Sequence, residues 1–326
     1  MPIQTLLDVA RLRDNDPMVG LIQENLLAAP ELATFMSRTI PGTMYQSPVV
    51  SGQSKGAFRA ANQGVALTAT TLEQRITQCF HYENPVELDL AVDVASRGLG
   101  VPDLEMIVAN QKTLTAMQQI GAQIWNGTAV DGSGFAGCKQ FVPKYTGTSQ
   151  VAGASPMFVD AGGTTASTAS SIYAVKFGLT FAHVVWGNDM TFGMSSFLDQ
   201  QLTDASGRKY MGRVAAIRAW VGLQLGNIYC VGRIANVTAD SGKGASDTLL
   251  SNLIRQFPVG VEPDAIFMSR RSAAQLAQNR PRTGFFTPGV KTNSSMTIPT
   301  TAFSVTDYEG IPVYRTDQIP DTDSIE

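Results

Sequence analysis

Charge is scarce in this sequence. Of its 326 residues only 16% are Asp, Glu, Lys or Arg, against about a quarter in an ordinary domain. The 24 basic and 27 acidic residues leave a net charge of −3, which excludes a chain that holds nucleic acid through a dominant basic field. Cysteine is rare as well. Cys79, Cys138 and Cys230 lie far apart without a CxxC pair, and the odd count reads most simply as free thiols in a reducing compartment. Histidine occurs twice, at His81 and His183, and apart from Glu83 neither has a second ligand at metal spacing. A Ser–His–Asp or Cys–His site would have to be assembled from distant parts, and no GxSxG elbow is present. No run of 18 apolar residues occurs, and the start, MPIQTLLDVARLRDND, lacks an apolar h-region. The reading is therefore a chain neither secreted by a recognisable signal nor membrane-spanning. We expect no catalytic residue, no cofactor and no metal.

What the chain does contain is length and small residues. A chain of 326 residues can bury a substantial core, as two domains or as one large domain with extensions. Thirty glycines, with abundant Ala, Thr and Ser, make a small and polar surface. Such a surface suits one covered by other subunits, because interface cores are depleted of charge, and it suits an ordinary low-charge protein equally.

The clearest periodicity runs from Pro102 to Asn126. Leu104, Ile107, Val108, Leu114, Met117, Ile120, Ile124 and Trp125 recur at helical spacing, with Gln111, Lys112, Gln118 and Gln123 on the remainder. Pro102 suits the first helical position, Asp103 and Glu105 put negative charge at the unpaired N–H groups, and Gly127 suits a left-handed exit. This helix would be about 37 Å long at 1.5 Å per residue, a scaffold-like rod.

Elsewhere the signals are shorter. Residues 1–40 hold two amphipathic stretches, Ile3–Leu12 and Pro17–Ser37, and read as an arm lying over something else. Residues 41–82 read as a long hairpin or extended loop with too few large apolar groups to stand alone. Val86–Val94 alternates strictly, which predicts a half-buried strand with Glu87, Asp89 and Asp93 on its outer face. A loop-like tract of small residues covers 146–171. Strands are expected across 171–238, then helices at Asp247–Phe257 and Arg271–Asn279 flanking the strand AIFMS. A strand pair around Glu309–Gly310 closes the chain. Helices and strands mix without a βαβ rhythm, so the expected class is α+β.

The stretch from Gly132 to Gly137 has the spacing of a phosphate loop. Cys138 stands where lysine must follow, and the segment trails a helix instead of opening one, so we read it as a turn. Glu87, Asp89 and Asp93 lack the apolar pocket that would make one of them a glycosidase acid. Charge is nevertheless uneven. Six acids and one base, Arg97, fall between Phe80 and Asn110, whereas Arg208, Lys209, Arg213 and Arg218 crowd a later stretch. These are solvated faces, or complementary surfaces that steer one copy's basic turn onto another's acidic strand. Arg270, Arg271, Arg280 and Arg282 form a second basic cluster that would face nucleic acid or a partner.

The order of features resembles the tailed-bacteriophage major capsid protein, the Hong Kong 97-type coat fold. The resemblance rests on GQSKGAFRAANQGVALTATTLEQRI as an extended E-loop, NPVELDLAVDV as an outgoing strand, and a spine helix ending in IWNGTAVDGSGFAGCKQ. It rests further on EPDAIFMSRRSAAQLAQ as an axial strand and helix, and on YEGIPVYRTDQIP as the closing strand. It implies an N-terminal arm at 1–40, an E-loop at 41–85, and a peripheral domain at 86–140 with the spine helix at 102–126. A strand-rich block at 141–238, peripheral domain and loop, and an axial domain with closing strands at 239–326 would complete the chain. In the best-known members the axial domain follows the spine helix closely, whereas here the strand-rich block comes first.

The implied function is a coat protein that assembles with itself into pentamers and hexamers of an icosahedral head around double-stranded DNA, without sequence-specific binding. It would reside in the virion, and in the host cytoplasm during assembly. A separate scaffolding protein, or a leader already removed, and a portal are implied, with a decoration protein as an open further partner and no membrane involved. Candidate assembly contacts are Lys55, Phe58 and Arg59 in the E-loop, Glu87, Asp89 and Asp93 on the acidic strand, and Arg208, Lys209 and Arg213 on the basic turn. Some relatives join an E-loop lysine to a neighbour's asparagine. Lys55 alone could serve, but no asparagine or catalytic glutamate matches. An encapsulin-like nanocompartment shell is the alternative, and a soluble enzyme the alternative class.

Overall fold

A computed structural model describes residue 27 and residues 29–97, 104–144, 157–190, 192–279 and 306–326. The expectations for Ile3–Leu12, for most of Pro17–Ser37, for Pro102 and Asp103, for Arg280 and Arg282, and for part of the 146–171 tract lie outside them. Among the described residues the helices are α1 (Glu31–Thr34), α2 (Leu90–Ser96), α3 (Leu104–Asn126), α4 (Cys138–Phe141), α5 (Asp247–Ile254) and α6 (Arg270–Asn279). The strands are β1 (Ser37–Thr39), β2 (Met44–Gly52), β3 (Thr71–Gln78), β4 (Phe80–Asp89), β5 (Phe158–Asp160), β6 (Ser170–Val175) and β7 (Ala182–Trp186). After them come β8 (Gly193–Met194), β9 (Leu198–Thr203), β10 (Lys209–Leu225), β11 (Val231–Val237), β12 (Ala265–Met268), β13 (Asp307–Tyr308) and β14 (Ile311–Arg315). The chain forms two compact units: residues 1–137 with 182–227, and residues 138–181 with 228–326.

The first unit is organised by β10. One edge of this 17-residue strand pairs antiparallel with β4, from Gly212↔Asp89 to Val221↔Phe80. The other edge takes β9, β8 and β7 in turn, and β1 pairs parallel with β7. Strand β4 is half-buried as its alternation requires: Val86 and Leu88 point inward beside Leu104 and Val108 of α3, and Glu87 points out. The expected strand to Val94 does not continue. Asp89 accepts a hydrogen bond from the Ala91 N–H at 2.8 Å and caps α2, so the chain turns helical from Leu90. This carries Asp93 to the buried side instead of the outer face.

Helix α3 has the expected core stripe: Leu104, Val108, Ile120, Ile124 and Trp125 are buried. Trp125 donates to the buried Glu31 carboxylate at 2.7 Å, and Phe35 meets its ring edge-on at 5.8 Å. The exit follows the sequence reading. Gly127 is left-handed at φ 53°, and Gln123 folds the Gly-rich turn back by donating to the Phe135 and Asp131 carbonyls at 2.8 and 3.2 Å.

In the second unit six strands run β13-β14-β12-β6-β11-β5. Strand β6 is antiparallel to both neighbours, while β12 is parallel to β14 and β11 to β5. Strands β6, β11 and β12 are buried throughout, polar residues such as Ser171, Arg233 and Asn236 included. Leu250 and Leu253 of α5 and Ala273 and Leu276 of α6 share a core with Ile172, Ile234, Ile266 and Met268. The strand-rich block expected at 141–238 is thus divided, with β5, β6 and β11 in one unit and β7 to β10 in the other.

Candidate assembly interface

The β2–β3 hairpin presents one exposed, uncharged face. Its register pairs Met44↔Gln78, Gln46↔Ile76, Pro48↔Gln74 and Val50↔Leu72, and opposite residues share a face. All eight side chains on that face are exposed and none is charged. Gln74 donates to Gln46 across it at 2.5 Å. The opposite face carries Tyr45, Arg75 and Thr77 and roots the hairpin on its own unit. Arg75 donates to the Leu225 and Gly226 carbonyls at 2.9 Å, the Tyr45 hydroxyl meets His183 Nε2 at 3.5 Å, and Arg38 lies over the Tyr45 ring. Burial raises the pKa of the Tyr45 phenol and pushes the adjoining Cys79 thiol up to about 11.

Beyond the strands, residues 53–70 contain Lys55, Phe58 and Arg59. Phe58 and Leu67 are 107% and 102% exposed, as free as side chains can be. The contacts recorded here are local: the Lys55 backbone pairs with the Thr68 hydroxyl at 2.9 Å, and Arg59 donates to the Gln63 carbonyl at 3.1 Å.

The charged candidates divide. Arg208 and Lys209 are exposed at the β9–β10 turn, where Asp204 accepts from the Ser206 and Arg208 N–H groups, and Gly207 takes φ 81°. Glu87 is exposed, and Asp89 is half-buried in its capping role. Arg213 and Asp93, expected to meet across copies, meet within one chain. Arg213 reaches Asp93 at 3.5 Å and Asp199 at 3.4 Å, bonds Glu105, and lies over the Phe197 ring. Asp93, with no exposed side-chain surface, also pairs with Arg97 at 2.6 Å. Arg218 is paired with Glu83 at 2.8 Å. The cause is register: antiparallel pairing sets Arg213 opposite Leu88 and Arg218 opposite Glu83, so β10 brings its bases to the acids of β4 and α2. Of the second basic cluster, Arg270 pairs with Asp317 and Arg271 with Asp321.

Two features were missed by sequence reasoning. Arg233 is buried on β11 and donates to both carboxylate oxygens of Glu326 at 2.7 and 2.8 Å; an arginine between Val231 and Ile234 was the available signal. Gln46 and Gln74 complete a charge-free face that only the strand register reveals. Among the described residues no group of three or more His, Cys, Asp or Glu could hold a metal, and no helix is long and apolar enough to cross a membrane.

A long helix laid against a sheet, with a hairpin whose outer face is exposed among the described residues, is the arrangement of the Hong Kong 97-type coat fold. The chain belongs to the major capsid protein GP7 family, whose model matches residues 35–325. A solved structure of bacteriophage Epsilon15 has the same fold, with 17% identity and a TM-score of 0.63 over 99% of this chain and 97% of that one. The capsid of Myoviridae phage XM1 is also similar (11% identity, TM-score 0.43, 70% of this chain and 98% of that one). So is the holo-SrpI encapsulin complex of Synechococcus elongatus PCC 7942 (6%, 0.45, 74% and 98%). No curated protein matches. The protein is a coat protein of a phage head: it assembles with itself into a shell and resides in the virion.

Proposed function

We propose that the shell is an icosahedral head of pentamers and hexamers that encloses double-stranded DNA without sequence-specific contacts. The carrying observation is the β2–β3 hairpin, whose uncharged face and whose neighbours Phe58 and Leu67 are exposed among the described residues, as a surface that another copy covers would be. Residues 1–137 with 182–227 supply the peripheral plate stiffened by α3, and the second unit is the axial domain. Lys55, Phe58, Arg59, Glu87, Asp89, Arg208 and Lys209 remain available as contacts between copies; Arg213 and Asp93 instead hold one subunit together. The net charge of −3 suits an inner face that contains DNA without gripping it. A scaffolding protein in trans and a portal direct closure, and assembly takes place in the host cytoplasm. Electron microscopy of the protein, expressed alone and with proteins encoded beside it, tests this: closed shells with five- and six-fold capsomers are expected. Monomers under every condition overturn the reading, and purified virion-stage particles filled with a protein cargo instead of DNA point to a nanocompartment.

A further inference from the structure

A side-chain carboxyl or carboxamide can be attacked by the backbone nitrogen of the residue that follows it, and glycine, with no Cβ to shield that nitrogen, allows the attack most readily. The sequence offers this pairing twice: Asn126–Gly127 is its one Asn-Gly step and Asp131–Gly132 its one Asp-Gly step. The fold treats them oppositely. Asn126 is 6% exposed and closes α3 in helical backbone, at φ −99° and ψ −12°. Gly127 is buried, and its carbonyl accepts from the Val130 N–H at 2.9 Å. Bringing the Asn126 carboxamide onto the Gly127 nitrogen would unseat the helix end beside the buried Trp125. Asp131 and Gly132 are exposed, and a Cβ on Gly132 would meet nothing within 4 Å. Asp131 opens a turn in which its carbonyl accepts from the Gly134 N–H at 3.1 Å and its carboxylate from the Ser133 N–H at 2.8 Å. The second bond closes a ring that contains the Gly132 nitrogen, so the carboxyl group is folded back over the Gly132 peptide.

We propose that Asp131 is a site of spontaneous modification, at which the folded subunit converts aspartate to isoaspartate. The Gly132 nitrogen bonds to Cγ of the protonated Asp131 carboxyl, and the carboxyl hydroxyl leaves as water with the amide proton, which gives a succinimide. Water then adds at the main-chain carbonyl of Asp131 and breaks its bond to the Gly132 nitrogen. The backbone now runs through the side-chain carbon, one methylene longer, and the former main-chain carbonyl is a free carboxylate. One water leaves and one returns, so no oxidant, cofactor or partner enters the balance. The Asp131 carbonyl is also the acceptor of Gln123 at 3.2 Å, so isomerisation resets this bond and the Gly134 bond together, while Gln123 keeps the Phe135 carbonyl at 2.8 Å. Asp131 lines a cleft of about 470 Å³ with Tyr82, Glu83 and Phe135, and its carboxylate is resited on that wall. The site rests on this turn alone and holds whether or not the subunit forms shells.

Prolonged incubation of the unassembled full chain at mildly acidic pH tests it, read by electron-transfer fragmentation of the tryptic peptide Thr113–Lys139, which carries both steps. In the folded chain, isoaspartate at Asp131 is expected to accumulate at least tenfold faster than deamidation of Asn126. In urea the order is expected to invert, because an unstructured Asn-Gly step is the more reactive of the two. Gly132→Ala, which the open surroundings accommodate, is expected to slow isomerisation at least fivefold and leave the thermal midpoint unchanged. Asn126 reacting first in the folded chain overturns the proposal. So does an Asp131 that stays aspartate in the folded chain while Asn126 deamidates in urea, and so does a rate that Gly132→Ala leaves unchanged.

Discussion

At the scale of single residues, burial decides which charges hold the subunit together. Arg233 is 2% exposed, and its counter-charge is the Glu326 carboxylate, with the Ser171 hydroxyl accepting two further bonds at 3.1 and 3.2 Å. Removing one member of such a pair strands a buried charge. Glu326→Ala is therefore expected to cost about 3 kcal/mol, the lower end of the range for a broken buried pair because Glu326 keeps some water contact. Urea unfolding of the unassembled subunit, followed by far-UV circular dichroism, measures it; a loss under half that size would show that water compensates Arg233. Asp240 gives a second expectation. The Thr165 hydroxyl, the Thr164 N–H and the Thr238 hydroxyl all donate to its carboxylate, which holds the pKa down at about 2 against 3.8 ordinarily. A depressed folded pKa means its contribution is complete above about pH 4 and is lost as pH falls toward 2. The thermal midpoint should accordingly fall more steeply across that window in the wild type than in Asp240→Asn. Parallel curves would exclude the linkage.

At the scale of elements, the glycines after α3 differ in purpose. A Cβ on Gly137 would come within 2.6 Å of the Gly127 nitrogen and 2.7 and 2.8 Å of the Gln123 and Ile124 carbonyls, all backbone, whereas one on Gly132 would meet nothing. Gly137→Ala is expected to destabilise by about 2 kcal/mol or more, as overpacking does, and Gly132→Ala to be silent, both read by thermal unfolding. Equal effects would mean that the turn does not seat against the helix end. Proline at Met117, in the middle of α3, should cost about 3 kcal/mol or more and abolish shells. These elements were legible because their signals are local. Helix α3 repeats its apolar spacing over six turns, and β6, β12, α5 and α6 are short runs bounded by clear breaks. What was not legible depends on pairing partners. The alternation through Val94 is the same on a strand as on a strand followed by two helical turns, and only the Asp89 cap decides between them. The basic stretch at 208–218 gave no sign that it lies along β4, so Arg213 and Arg218 read as surface charge until register set them beside acids of their own chain. The hairpin's uncharged face was hidden for the same reason, since it is shared by residues 22 to 34 positions apart.

At the scale of the whole molecule, the question is what orders residues 53–70. Burying Phe58 or Leu67 would contribute about 2 kcal/mol each, yet both are fully exposed in the single chain, and holding each backbone residue fixed costs about 1–2 kcal/mol. The local bonds at Lys55 and Arg59 are exposed and net only about 1 kcal/mol apiece. On the proposed assembly, the free subunit opens this segment readily and a covering copy closes it, so that ordering and assembly form one linked equilibrium. Lys55 and Arg59 are trypsin sites within it. Cleavage after them should be at least tenfold faster in unassembled subunits than in shells, and subunits cut there should no longer enter shells although both units stay folded by circular dichroism. Mass spectrometry of timed digests locates the cuts. Equal rates in the two states would mean that the segment stays uncovered in the head and that the energy of assembly comes from elsewhere on the plate.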